Sequence, residues 1–313
     1  MSEQDTKISL VGSVALGTGG MIGAGIFALV GQVAGLAGDW FPVAFIAGAA
    51  VAGVSSYAYA RYSSVNPSAG GIAMLLKDAY GPGVVAGSFS LFMYVSMVVA
   101  ESLLARTFGT YLLRPFGLQD SVVLVPLLGV IAIAAAAVVN LVSNQLVERS
   151  ALVTAVLKIV GIAVLAAAGL IGAAATGAGF FSDGSDSGDG LLGVVAAVAL
   201  CVLAYKGFTT ITNQGDDLKD AKRNIARSIM ISIAICAVLY LLITLSVGAS
   251  IGASGAIDAR DYALAEAAHP LFGAWGVGIT VAVAVIATLS GLLASLFSVS
   301  RLYGMLQDMK QAP

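Results

Sequence analysis

Long apolar stretches separated by short polar segments are the main feature of the sequence. An α-helix needs about 20 mostly apolar residues to cross the hydrocarbon core of a bilayer. Eight stretches meet this requirement, at residues 8–36, 42–62, 84–113, 122–142, 152–175, 191–212, 229–251 and 273–305. The pattern therefore predicts an all-α polytopic membrane protein with about eight transmembrane helices.

Composition supports this prediction and excludes other classes of protein. Hydrophobic residues make up 59% of the 313 residues and charged residues 10%, whereas soluble domains carry roughly 25% charged residues. The scarcity of charge excludes a disordered chain, and a net charge of −2 offers no basic surface for nucleic acid. Both cysteines, Cys201 and Cys236, lie in apolar stretches, so neither a disulfide framework nor a metal site is predicted.

Basic residues in the polar segments predict the orientation, because lysine and arginine concentrate on the cytoplasmic side of membrane proteins. With a cytoplasmic N-terminus, ten basic residues face inward and three face outward. The inward residues are Lys7, Arg61, Lys77, Arg149, Lys219, Lys222, Arg223, Arg227, Arg301 and Lys310, and the outward ones are Arg106, Arg114 and Arg260. Both termini are therefore predicted to lie in the cytoplasm, in a multi-pass protein of the cell membrane.

Five glycines occur within residues 17–25, halfway along the first apolar stretch. Each costs about 1 kcal/mol relative to alanine inside a helix, so the cluster predicts an interruption of the first helix. An interruption at this depth would free N–H groups and carbonyls for the carboxylate and ammonium groups of a small solute. The alternative is that Gly19 and Gly23 form a small-xxx-small packing pattern in an unbroken helix.

A second interruption is predicted in the sixth stretch, where hydrophobicity falls sharply around Gly207. Two interrupted helices five spans apart are typical of inverted-repeat transporters, which bind their substrate between them at the middle of the membrane.

Several short motifs resemble those of the amino acid–polyamine–organocation transporter family, in the same order and spacing over nearly the whole chain. They are residues 19–27 (GGMIGAGIF), 67–71 (PSAGG), 79–82 (AYGP), 205–208 (YKGF), 216–227 (DDLKDAKRNIAR) and 301–305 (RLYGM). The resemblance implies the leucine-transporter type of inverted-repeat fold. Residues 1–178 would form a complete five-helix repeat with a broken first helix, and residues 179–313 a partial repeat with a broken sixth helix. Since the family has two repeats of five helices, the chain is expected to be truncated, split or reduced after the eighth.

The resemblance also implies a function: secondary active transport of amino acids or related amines by alternating access, proton-coupled or sodium-independent. It implies substrate contacts from the first helix and from the facing part of the sixth. These residues are Met21, Ile22, Gly23, Ala24, Gly25, Ile26, Ala204, Tyr205, Lys206, Gly207 and Phe208. The alternative is a non-transporting membrane sensor, or one subunit of a split transporter whose partner chain supplies the missing helices.

An ion-coupling role for Lys158 follows from the same resemblance, because sodium-independent members place a lysine of the fifth helix where others bind sodium. Its ammonium group would contact carbonyls near Gly19 and Ile22, next to the Ser290 hydroxyl. Hydroxyl groups in the eighth stretch leave sodium coupling open. The alternative is that Lys158 extends to the cytoplasmic interface.

Other charged residues depart from the family pattern or need a partner within the membrane. Glu101 is predicted to act in gating, and the alternatives are an ion pair with Arg106 or Lys206 or a position at the membrane interface. A lysine is seldom found at the position of Lys206, where it is predicted to disfavour cationic solutes. Thr209 stands where many family members carry an acidic residue used in gating or proton coupling. Because threonine has no carboxyl group, this role cannot be assigned to Thr209.

No catalytic group is predicted. The single histidine, His269, cannot form a catalytic triad or a metal site with other residues of the sequence. The protein is therefore expected to use no cofactor and not to be an enzyme.

Overall fold

Ten α-helices follow one another in a computed structural model, which describes residues 7–68, 71–142, 144–176, 190–259 and 262–308. Within these ranges the helices are α1 Leu10–Ala37, α2 Phe41–Val65, α3 Gly71–Tyr80, α4 Val84–Leu113, α5 Leu124–Val142, α6 Asn144–Thr176, α7 Gly190–Tyr205, α8 Phe208–Thr212, α9 Ala221–Ala259 and α10 Ala263–Asp308. Of the residues singled out in the sequence, Ala69, Gly70, Arg260 and Lys310 lie outside the described ranges, as does the side chain of Ala24.

The predicted spans correspond to these helices. In the described part of the chain, seven stretches are long and apolar enough to cross a membrane, and the first of them, Leu10–Val65, runs through both α1 and α2. A short 3₁₀ turn, Gly38–Trp40, separates those two helices. The helices α6 and α9 begin eight residues before the predicted spans, because their polar first turns continue the helix beyond the apolar window.

The first helix lies at the centre of the molecule. It packs against α7, α9 and α10, and large side chains along it, such as Leu16, Ile22 and Phe27, are fully buried. By contrast, Phe92 and Val99 on α4 and Val130 on α5 are exposed. Apolar side chains on the outer surface suit a protein surrounded by lipid, where hydrocarbon replaces water.

The predicted interruption of the first helix is wrong for this structure. α1 continues as one helix through residues 17–25. Its glycines instead allow close packing: a Cβ atom added to Gly23 would lie 2.9 Å from the Ala287 carbonyl oxygen and 3.0 Å from Gly291 Cα on α10. The packing alternative therefore describes this segment. Physically, a glycine costs only about 1 kcal/mol in a helix, whereas an unpaired backbone group in the membrane interior costs several.

The sixth span is interrupted near Gly207, where the fall in hydrophobicity predicts it. Helix α7 ends at Tyr205, α8 begins at Phe208, and a turn at Lys206 and Gly207 joins them. Hydrogen bonds in the turn connect residues three apart, as in Thr209 N–H to Lys206 carbonyl at 3.0 Å and Thr210 N–H to Gly207 carbonyl at 3.1 Å. This tighter pattern is typical of a 3₁₀ turn.

The C-terminal part of α9 and the N-terminal part of α10 contain kinks at Gly252 (φ 69°) and Gly273 (φ 56°). Positive φ values favour glycine, because a Cβ atom would collide with the backbone there. The second kink coincides with the predicted start of the eighth span at residue 273.

Candidate functional site

The glycine-rich segment of α1 meets the interruption of the sixth span at Gly20 and Gly207. A Cβ atom added to Gly20 would lie 3.3 Å from Gly207 Cα, and one added to Gly207 would overlap the Met21 backbone nitrogen. Gly207 has an ordinary helical φ of −54°, so space rather than backbone conformation requires glycine. The glycine motifs of the two spans are thus in direct backbone contact.

Tyr240, on α9, joins these two elements. Its hydroxyl group donates a hydrogen bond to the Met21 carbonyl at 2.6 Å and has the Ala204 carbonyl at 3.4 Å. The side chain is fully buried, and its ring lies 5.1 Å from the ring of Tyr205. Nothing in the sequence distinguishes this tyrosine from its apolar neighbours, because its partners are distant along the chain.

A small cavity borders the contact between α1 and the α7–α8 turn. Its volume is about 40 Å³, and its described lining residues are Gly20, Met97, Ala100, Leu104, Leu203, Lys206, Gly207, Thr209, Thr210 and Ser295. Ligand pockets usually measure roughly 300 Å³ or more. The site is therefore closed in this structure, with room for little more than one water molecule.

Lys206 is the one charged residue among those described as lining this cavity. Its ammonium group donates a hydrogen bond to Ser96 Oγ on α4. The bond ties the α7–α8 turn to α4 across the cavity.

Glu101, also on α4, is buried beside Ser295, which lines the same cavity. Neither of its carboxyl oxygens makes a well-formed hydrogen bond within the described residues. The predicted ion pair with Arg106 or Lys206 is thus absent from the described part of the structure. Buried polar groups nearly always have a hydrogen-bond partner, and the neighbouring Ser295 hydroxyl is a candidate partner for this carboxyl group.

Lys158 lies on α6 and is fully buried. Its ammonium group donates to Ser290 Oγ on α10 at 3.3 Å, and a Cβ atom added to Gly19 would lie 3.2 Å from the same oxygen. The structure therefore brings Lys158 to Ser290 next to Gly19, but the predicted contact with carbonyls near Gly19 and Ile22 is not among the described hydrogen bonds. The alternative that Lys158 extends to the interface does not hold. Ile22 is buried one turn further along α1.

The other predicted substrate-binding residues occupy different surroundings. Ile26 is buried in the core, and Gly25 faces Tyr240, whose hydroxyl group would collide with any side chain there. Gly23 faces α10, and the Phe208 ring lies 5.4 Å from that of Tyr59. Only Lys206 and Gly207 of the predicted set appear among the residues described as lining the cavity.

The end of the molecule predicted to be cytoplasmic is tied together by long-range contacts. Ile8 pairs with the loop after α8: its N–H donates to the Asp217 carbonyl at 2.7 Å, and its carbonyl accepts from Lys219 N–H at 2.9 Å. The Asp217 carboxylate also pairs with Arg301 of α10 at 3.1 Å. Burial raises the pKa of the Asp217 carboxyl, while Arg301 acts in the opposite direction.

Two further contacts close the same end. Ser9, which caps α1, donates to Glu148 Oε1 on α6 from its N–H at 3.0 Å and from its hydroxyl at 2.7 Å. Asn213 donates to Ser298 Oγ on α10 at 2.8 Å. These contacts connect α1, α6, α8 and α10, and the sequence alone does not predict them.

A larger cavity of about 870 Å³ lies at the opposite end, between α4, α5 and the α9–α10 corner. Its lining includes Arg106, Asp120 and Asp258. Nearby, Arg114 pairs with Glu266, and its guanidinium carbon lies 3.9 Å from the centre of the Tyr262 ring. The predicted outer end therefore contains a cavity of this size, whereas the contacts above hold together the end predicted to be cytoplasmic.

Comparison with known proteins identifies the family. The sequence pattern described as amino acid permease matches residues 8–307. The chain is 31% identical to the inner membrane transport protein YbaT of Escherichia coli K12, over 96% of this chain and 69% of that protein. It is 27% identical to an uncharacterized protein of Methanocaldococcus jannaschii, over 88% and 62%. It is also 28% identical to the vacuolar cationic amino acid transporter 4 of Arabidopsis thaliana, over 70% and 39%.

The alignments cover most of this chain, although the chain spans only part of the length of these relatives. The apolar helices are long enough to cross a membrane, as expected of the permease family whose pattern matches residues 8–307. This chain is a multi-pass membrane protein that belongs to the amino acid permease family.

Proposed function

We propose that the protein is a secondary active transporter of amino acids or related amines, and not an enzyme. The observation that carries the proposal is the contact of α1 with the interrupted α7–α8 segment at Gly20 and Gly207, within the membrane-spanning part of the chain. An interrupted helix next to a small cavity is the arrangement in which transporters bind solutes. The carboxyl group of Glu101, buried beside Ser295 of this cavity, supports a polar ligand there.

Alternating access supplies the mechanism. The cytoplasmic end is tied by the Asp217–Arg301 and Ser9–Glu148 contacts, and the cavity at Gly20 is too small for an amino acid. Binding therefore requires α1 and the α7–α8 turn to separate, and release requires the cytoplasmic contacts to break. A solute that stabilises one of these states shifts the population toward it.

Lys158 is proposed as the coupling residue, with the proton as the coupled ion and sodium as the less favoured alternative. Its burial and its hydrogen bond to Ser290 of α10, next to Gly19 of α1, support this assignment. Loss and gain of a proton at this nitrogen would break and restore the bond to Ser290. The chain would lie in the cell membrane with both termini in the cytoplasm, in agreement with its basic residues.

The repeat organisation of residues 1–178 and 179–313 belongs to the same proposal. Because the chain spans 69% of the E. coli relative, a second chain that supplies further helices is the alternative way to a working transporter. The mass of the protein purified in a mild detergent distinguishes a transporter built from this chain alone from one that needs a partner. The partner alternative predicts a second, different polypeptide in the purified complex.

Uptake by proteoliposomes tests the proposed function. Liposomes containing the purified protein should accumulate at least one radiolabelled amino acid of a panel faster than empty liposomes. The accumulation should persist when choline replaces sodium and should increase with an inward proton gradient. Uptake that requires sodium would overturn the coupling assignment. The absence of uptake together with the absence of binding to every amino acid of the panel would overturn transport itself.

A further inference from the structure

Lys206 gives the small cavity its charge, because the other described lining residues are uncharged. It lies in the turn between α7 and α8, beside Gly207, where the backbone comes closest to α1. Its side chain lines the cavity and is held by the hydrogen bond to Ser96 of α4. The ammonium group therefore has a definite position at the cavity and does not extend away from it.

No carboxylate in the described part of the chain neutralises this charge. The carboxyl group of Glu101 is not paired with Lys206, and Ser96 is an uncharged hydroxyl. The remaining described lining residues are glycine, alanine, leucine, methionine, threonine and serine. The electrostatic character of the cavity thus depends on one cation in a largely apolar environment, where charges interact more strongly than in water.

We propose that Lys206 is a specificity-determining residue that excludes solutes with a cationic side chain and favours neutral or acidic amino acids. A second cation beside a desolvated ammonium group is strongly disfavoured. The carboxylate of an amino acid, or of an acidic side chain, is instead attracted to it. The inference rests on the proposed function, and it separates this chain from relatives named cationic amino acid transporters.

Binding and uptake of three probes test the inference: L-alanine, L-glutamate and L-arginine. Binding is measured as the rise in melting temperature of the purified full chain in detergent, and uptake in proteoliposomes. In the wild-type protein, arginine should need at least a tenfold higher concentration than alanine for the same response. Lys206→Met, which keeps an unbranched side chain only one atom shorter but removes the charge, should reduce that ratio to threefold or less. Lys206→Arg, which keeps the charge, should preserve the wild-type ratio.

The control is Lys222→Met, which alters an exposed lysine in the first turn of α9 and should preserve the ratio. If Lys206→Met does not fold, Lys206→Gln takes its place. A wild-type protein that responds to arginine as readily as to alanine overturns the inference, as does an unchanged ratio in the uncharged variant. In either case a response to any probe leaves the proposed transport function standing. No response to any of the three, in binding or uptake, counts against both.

Discussion

Lys158 carries a positive charge into the part of the molecule where charge is most costly. Its only described hydrogen-bond partner is the uncharged Ser290 hydroxyl. An apolar side chain at this position would cost less free energy than a buried lysine without an acidic partner. Lys158 is therefore better explained by a role in function than by a contribution to stability.

Replacing Lys158 by alanine should therefore uncouple transport from protons. We expect uptake by Lys158→Ala proteoliposomes to become insensitive to an inward proton gradient, while expression and helical content are retained. The control is Lys222→Ala, which removes an exposed lysine. A Lys158→Ala protein whose uptake still increases with the gradient would contradict the coupling role.

The Tyr240 hydroxyl group is the second residue whose contribution can be isolated. Tyr240→Phe keeps the buried ring and removes only the hydroxyl group, which donates to the Met21 carbonyl and has the Ala204 carbonyl within reach. We expect the free energy of unfolding to fall by about 1 kcal/mol, the usual net value of one hydrogen bond. Equilibrium unfolding in mixed detergent, followed by circular dichroism, measures this change. Tyr57→Phe on the exposed face of α2 should have no effect, and equal effects of both variants would show that the bond contributes nothing.

At the scale of the helices, hydrophobic length predicts which segments cross the membrane, because that property is local. The limits of α4 agree with the sequence pattern to the residue, and the α7–α8 interruption falls at Gly207 as predicted. The first helix shows where the method fails. Glycines occur both where a helix is interrupted and where two helices pack closely. Which of the two applies to α1 depends on its contact with residues 287 and 291 of α10, which are far away in the sequence.

The close contact between α1 and the α7–α8 turn predicts that adding a single methyl group at Gly207 lowers stability and binding. Gly207→Ala places a Cβ atom against the Met21 backbone, which cannot rotate away as a side chain can. We expect a loss of about 1–3 kcal/mol of stability, as for overpacked cores, and loss of amino acid binding measured by thermal shift. The matched control is Gly35→Ala on α1, where no atom lies within 4 Å of the added Cβ. Undiminished binding by Gly207→Ala would contradict a site at this contact.

At the scale of the whole molecule, polar contacts connect α1, α6, α8 and α10 at the end predicted to be cytoplasmic. The sequence could not predict them, because Ser9 and Glu148 lie 139 positions apart and Asp217 and Arg301 lie 84 apart. Their polar side chains look like ordinary solvated loop residues until the fold brings them together. The site residues that could be predicted are those with an unusual local pattern, namely the glycines and the lysines within apolar stretches.

Breaking one of these ties should open the cytoplasmic end. In an Asp217→Asn protein, the pair with Arg301 loses its charge, so the inward-open state should be more populated. The buried thiol of Cys236 on α9 reports this opening in a Cys201→Ser background, through its rate of labelling by N-ethylmaleimide. We expect labelling at least threefold faster than in the parent. Asp220→Asn, at an exposed position of the same loop, should leave the rate unchanged. Equal rates for Asp217→Asn and the parent would contradict a closing role.

The central position of α1 has a consequence for biosynthesis. It leaves the ribosome well before α7, a packing partner that begins at Gly190, about 150 residues after α1 ends at Ala37. At about 5–20 residues per second, α1 waits in the membrane for roughly 8 to 30 seconds before that partner exists. During this interval its glycine-rich surface faces lipid or an insertion chaperone. The element most enclosed in the finished protein is therefore the one most exposed while the protein is being made.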